Sequence, residues 1–125
     1  MKEIDSMTAD ELRVEVAKRK GWTDLRGGVN GGWCGTSPRW KVTYTMVPWF
    51  SGNIEAAWEM LNELPSTAYF EVQRIHVLDS QVEFTCKIRH GTECCESTSE
   101  TAPMAMCRAF LKYAKDHECV LSKAF

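Results

Sequence analysis

The chain lacks a long hydrophobic run. Its longest apolar stretches, such as Met46 to Phe50, fall far short of the roughly 20 residues that cross a bilayer as a helix, and the opening Met1-Lys2-Glu3-Ile4-Asp5 has no apolar core of the kind a secretion signal needs. No membrane partner is expected, and the protein is expected to stay in the compartment where it is made. An excess of charge of either sign is lacking too. The 15 Lys and Arg against 17 Asp and Glu leave a net charge of −2, so no overall field gathers nucleic acid, and an anionic ligand would need a local patch. The six cysteines (Cys34, Cys86, Cys94, Cys95, Cys107 and Cys119) are expected to be reduced thiols without a structural disulfide. Cys94-Cys95 with His90 has no second pair at ligand spacing, and four ligands are the rule for structural zinc, so no metal is expected.

What is present suits one globular domain over residues 1–125. Hydrophobic residues make up 44% and charged residues 26%, which excludes a disordered tail. A chain of 125 residues buries about two-thirds of its unfolded surface without a crosslink.

Thr8 and Glu11 form a capping box that starts a helix running to about Lys20, with Ala9, Leu12 and Val16 inward and Gly21 as its stop. Lys18, Arg19 and Lys20 are explained by the negative end of the helix dipole. Gly27 to Gly35 is too rich in glycine for regular structure and reads as a loop, without the lysine and serine or threonine of a phosphate-binding loop. Arg39 to Val47 alternates as a half-buried strand, with Trp40, Val42, Tyr44 and Met46 on one face. Ser51 or Asn53 caps a second helix whose stripe is Ile54, Ala57, Trp58, Leu61 and Leu64, ended by Pro65. Trp58 is therefore expected in the core, and Trp58→Ala is expected to cost roughly 3 to 5 kcal/mol.

Tyr69 to Leu78 and Gln81 to His90 read as a hairpin turning at Asp79-Ser80. Val82, Phe84, Cys86 and Ile88 mark the buried face of its second strand, with His76 beside Glu83. Phe70 and Val72 are out of phase with Ile75 and Val77, which predicts a bulge near Gln73 or Arg74. Gly91 to Thr101 is polar and reads as a loop. From Pro103 a third helix turns Cys107, Phe110, Leu111 and Ala114 inward. The expected fold is α+β, a mainly antiparallel three-stranded sheet sandwiched by about three helices.

Three segments together resemble the small bacteriophage proteins of the phage ABA sandwich domain family. They are Lys20-Gly21-Trp22, the stretch from Val47-Pro48-Trp49-Phe50-Ser51 to Ala56-Ala57-Trp58, and the stretch from Glu100 through Ala102-Pro103 to Cys107-Arg108-Ala109. The resemblance spans most of the chain and implies that fold, a phage origin and hence the host cytoplasm. It implies no activity, so no catalytic residue is carried over. The departure is a Gly- and Trp-rich insertion at about residues 27–39.

No catalytic constellation surrounds His76, His90 or His117, and neither an enzyme nor a cofactor is expected. The unusual feature is the interleaving of Arg26, Trp33, Arg39, Trp40 and Lys41, with Trp49 close in sequence. Planar side chains stack on bases while guanidinium groups fork onto phosphates, so these five are the candidate ligand-binding residues for a nucleotide-derived small molecule. The function expected is a non-enzymatic phage counter-defence protein that sequesters a host immune nucleotide signal. The alternative is an interaction module covering a host or phage protein, and assembly with copies of itself is compatible with either. Arg39→Ala is expected to cost about 1.5 to 3 kcal/mol of binding.

Overall fold

The computed structural model describes residues 3–27, 32–38, 45–77 and 81–116. A 3-10 helix at Ile4–Ser6 is followed by α1 (Ala9–Arg19), β1 (Thr23–Gly27), β2 (Trp33–Thr36), β3 (Thr45–Met46), α2 (Ile54–Asn62), β4 (Ala68–Val77), β5 (Gln81–His90), β6 (Glu93–Ser99) and α3 (Ala102–Asp116). The strands make two antiparallel sheets of three, β1-β2-β3 and β4-β5-β6. The α+β expectation holds, with a small second sheet added.

α1 begins and ends as its sequence requires. The Glu11 amide donates to Thr8 Oγ1 (3.2 Å) and the Thr8 amide to Glu11 Oε1 (3.1 Å), the reciprocal pairing of a capping box. At the other end Gly21 takes φ +94°, the Gly21 amide donates to Lys18 and the Trp22 amide to Ala17, which closes the helix as a Schellman motif.

α3 is the centre of the fold. Ala105, Met106, Cys107, Ala109, Phe110, Leu111, Tyr113 and Ala114 are all buried, which leaves it apolar on nearly every side. It packs on β5 and β6 and also on α1 and α2, so a one-sided stripe would not have sufficed. The expected inward residues Cys107, Phe110, Leu111 and Ala114 are all in that core.

Three expectations about the main sheet are corrected. Gly91 to Thr101 is mostly strand: β6 pairs with β5 from His90↔Glu93 to Phe84↔Ser99, after a turn in which Gly91 has φ +66°. Its alternation is hard to see because the inward residues are Cys95, Ser97 and Ser99. Ser97 is buried because its hydroxyl finds a partner, donating to Asp5 Oδ1 (3.0 Å). Second, β4 pairs with β5 without a break from Ala68↔His90 to Val77↔Gln81, so there is no bulge at Gln73 or Arg74. Phe70 and Val72 share the helix-side face with Cys86 and Ile88, and Ile75 and Val77 hold register positions of the opposite one. Towards the turn neither face is covered enough to impose alternation: Arg74 is exposed and Ile75 only half-buried. Third, Ile75 stands opposite Glu83, and His76 opposite Val82.

Around the smaller sheet, Gly27 to Gly35 carries the end of β1 and most of β2 rather than a plain loop. Gly35 is required where β2 passes a bulge in β1, because a Cβ there would lie 2.9 Å from the Thr23 carbonyl oxygen. Of the strand expected from Arg39 to Val47, β3 is the described part; residues 39–44 and the turn at 78–80 lie outside the described residues.

Trp58 is not core. α2 buries Ala57, Met60 and Leu61 against α3, where a small residue at 57 permits close approach, and the indole is turned aside, 48% exposed. It packs edge-on against Phe70 of β4 with ring centroids 5.0 Å apart. Ile54, also assigned to the stripe, is exposed.

Lys20 is more than a charge at a helix end. Its ammonium is buried, donates to the Met60 carbonyl (3.3 Å), pairs with the Glu63 carboxylate and lies 5.4 Å from the Phe110 ring centroid. Burial lowers its pKa, against the opposing pull of Glu63. The folded state thus holds the proton less tightly than the unfolded chain, so stability rises with pH through the window below the ordinary lysine value. Urea melts at pH 7 and pH 10 are expected to show that rise in the wild type and its loss in Lys20→Met, whose stability at pH 7 stays within about 1 kcal/mol because an apolar side chain of similar length replaces a buried ion pair. A collapse of Lys20→Met at pH 7 would contradict this.

Candidate ligand site beside the small sheet

The residue that organises this corner is Arg13. It lies on the buried side of α1, four residues after Ala9 and three before Val16, and is only 5% exposed. Its terminal amino group donates to the Val47 carbonyl, and the Val47 amide donates to the Trp33 carbonyl (2.9 Å), so α1, β2 and the chain after β3 are tied in series. Arg13 Nε has no hydrogen-bond partner among the described residues. Burial lowers the guanidinium pKa, against Asp10 and Cys34 nearby, but an arginine starts so high that it remains a cation.

Trp49 lies over this cation, with the guanidinium carbon 5.7 Å from the ring centroid, and is 52% exposed. Its backbone carbonyl accepts from the amides of Gly52 (3.1 Å) and Asn53 (2.9 Å), in the turn that leads to the Asn53 cap of α2. Ser51 Oγ donates to the Ala9 carbonyl (2.5 Å) and fastens that turn to the start of α1. The indole rests on Gly52, where a Cβ would collide with the ring. Gly52→Ala is therefore expected to displace Trp49, read as a shift in its fluorescence maximum, with little change elsewhere.

The expected binding residues are only partly gathered. Trp33 stands opposite Gly27, and Arg26 opposite Cys34, one position along the same hairpin. Neighbouring pairs point to opposite faces, so Arg26 and Trp33 do not line one pocket together. Arg26 is exposed, whereas Trp33 is half-buried and packs on the core. Arg39, Trp40 and Lys41 lie outside the described residues. Arg13 was missed, although a charge at helical spacing between Ala9 and Val16 is a visible signal.

A cleft of about 600 Å³ lies elsewhere, between the 3-10 helix, α1, α3 and β6. Arg19, Lys112 and Lys115 line it, but so do Glu3, Asp5, Glu15 and Glu96. Lys112 is engaged with Asp5 Oδ2 (3.0 Å) and the Glu96 carbonyl (3.1 Å). Burial works against the Asp5 carboxylate, yet hydrogen bonds from Lys112 and Ser97 hold its pKa below the usual value. Among the described residues the cleft carries no aromatic ring and more carboxylates than cations, a poor match to a phosphate with a base.

The other titratable groups have structural roles. His90 joins Thr67 Oγ1 (2.8 Å) to the Tyr113 hydroxyl (2.9 Å), latching the start of β4 to α3 through the end of β5. Among the described residues, no group of three or more His, Cys, Asp and Glu is placed to hold a metal. The five described cysteines form no disulfide; burial pushes the Cys86 thiol up to about 12 and raises Cys107 as well, while Cys94 is exposed. Brief maleimide treatment followed by peptide mapping should label Cys94 in the native protein, and Cys86 and Cys107 only after denaturation.

With this architecture in place, the phage ABA sandwich domain profile matches residues 21–111, well over half of the chain. The chain belongs to the phage ABA sandwich domain family. A phage protein from Bacillus cereus ATCC 14579, known from a 2.0 Å crystal structure, shares the fold at TM-score 0.66 over 88% of this chain and 90% of that one, with 19% sequence identity. Comparison with curated proteins gives no significant match. The family match begins at Gly21 and so covers the hairpin, Trp49 and α2 but not Arg13. No described helix of this ABA sandwich chain is long and apolar enough to cross a membrane.

Proposed function

We propose that this phage protein binds, without turning it over, a small anionic ligand with a planar ring, and that it acts in the host cytoplasm to sequester a nucleotide signal of host immunity. The observation that carries this reading is the pairing of Arg13 and Trp49. A half-exposed indole lying over a buried cation supplies a stacking surface and a local positive charge, two features that suit a planar anion. Trp33 stands next to it through the Val47 link.

Native mass spectrometry of the protein purified from infected, defence-active cells tests the proposal. A retained ligand of nucleotide mass, released on denaturation, is expected. A second reading has its own support: Met46, Trp49, Ile54, Trp58 and Tyr69 are all large, apolar and exposed, as on a surface that meets another protein. Recovery of a stoichiometric host protein, with no small ligand, decides for that reading.

A further inference from the structure

β4 forms an edge of the main sheet, with no strand on its outer side among the described residues. Edge strands are ordinarily protected by shortness, bulges, proline or lysine. β4 has none of these four, and carries one inward charge, Arg74, at a helix-side register position: it runs for ten residues, its register with β5 is unbroken, and its sequence, Ala-Tyr-Phe-Glu-Val-Gln-Arg-Ile-His-Val, contains neither proline nor lysine. Exposed apolar side chains flank it. Tyr69 on the strand is 59% exposed, and the half-exposed Trp58 of α2 packs on Phe70 of the strand.

We propose that this edge is a homodimer interface, in which β4 pairs antiparallel with β4 of a second copy about a two-fold axis through Val72. A two-fold interface must be self-complementary, and this strand is so in that register. Glu71 faces the partner's Gln73, a carboxylate against a carboxamide. Tyr69 faces the partner's Ile75, an aromatic against a β-branched side chain, and Phe70 faces the partner's Arg74, a ring beneath a guanidinium. No like charges meet. Moving the axis to Gln73 would set Glu71 against Ile75 and Arg74 against Val72, leaving both charges opposite apolar groups. An axis normal to the sheet keeps the helix side of both copies on one face, so Trp58 joins Phe70 under the partner's Arg74. Ten residues at about 3.4 Å make an edge of about 34 Å, and a sheet with one helix layer is about 20 Å deep, giving about 700 Å² per copy, near the roughly 800 Å² of a stable interface.

Sedimentation velocity of the full chain over a dilution series tests this, with Gln73→Glu and Gln73→Lys beside the wild type. Gln73 is exposed, so both variants keep the monomer fold. Each substitution is felt twice across the axis: the carboxylate of Gln73→Glu meets the like charge of the partner's Glu71, and the ammonium of Gln73→Lys meets an opposite one. The dimer Kd is expected to rise about tenfold for Gln73→Glu and to fall several-fold for Gln73→Lys, both effects shrinking in high salt. A wild type that stays at 14.2 kDa at the highest concentration overturns the proposal, as does a dimer whose Kd moves the same way, or not at all, in the two variants.

Discussion

Phe110→Ala is expected to lower the free energy of unfolding by about 3 to 5 kcal/mol, and Trp58→Ala by only about 1 kcal/mol. Phe110 is fully buried on α3, which packs on the sheet and on both α1 and α2, so its removal opens a cavity that no neighbour can fill without disturbing several elements. Trp58 is the larger side chain, yet half of it already meets water and, among the described residues, its ring contact is with Phe70. The expected order is thus the reverse of side-chain size. Chemical denaturation of the two variants and the wild type at one protein concentration measures it. Equal losses would mean that α2 is rotated about its axis, with Trp58 turned inward, and that the larger penalty read from the sequence for Trp58 was right.

That comparison also shows what the sequence could reveal. The stripe read on α2, Ile54, Ala57, Trp58, Leu61 and Leu64, is wide, and helical spacing alone does not say which of its edges turns inward: Ala57 and Leu61 are buried with Met60, and Ile54 and Trp58 are exposed. What decides is the partner: α3 demands close approach, and only Ala57 permits it. α1 was legible to its last residue because its caps are local chemistry, written in Thr8, Glu11 and Gly21 and independent of packing. β6 was hidden for the opposite reason. Its inward residues are small and polar, made tolerable by hydrogen bonds such as Ser97 to Asp5, a partner ninety-two positions away that no local pattern could announce. The candidate site was half legible. Interleaved arginine and tryptophan marked one stretch of chain, but strand pairing separates Arg26 from Trp33, and the cation that the fold brings to Trp49 comes from α1.

If the corner beside the small sheet holds a nucleotide, Trp49→Ala is expected to weaken binding by about 1 to 3 kcal/mol, the value of one stacked base, while changing the melting temperature little. The indole is half exposed and rests on a glycine, so its loss leaves only a shallow depression. Arg13→Ala should weaken binding too, because the positive charge beneath the indole is lost. It also leaves the Val47 carbonyl without its donor, so a loss of stability of about 1 to 3 kcal/mol accompanies it. Arg13→Lys separates the two effects: an ammonium keeps the charge and can reach one acceptor, but it cannot serve Val47 and a ligand with the fixed fork of a guanidinium. Calorimetric titration of nucleotide signals into the wild type, Trp49→Ala, Arg13→Lys and Arg39→Ala, beside their melting curves, reads both quantities. Trp33→Ala belongs in the series as a control, because Trp33 packs on the core and its loss should lower stability whether or not it touches ligand. A nucleotide that binds Trp49→Ala and Arg13→Lys as tightly as the wild type places the site elsewhere, and a wild type that binds none leaves the exposed apolar surface, and a protein partner, as the function of this chain.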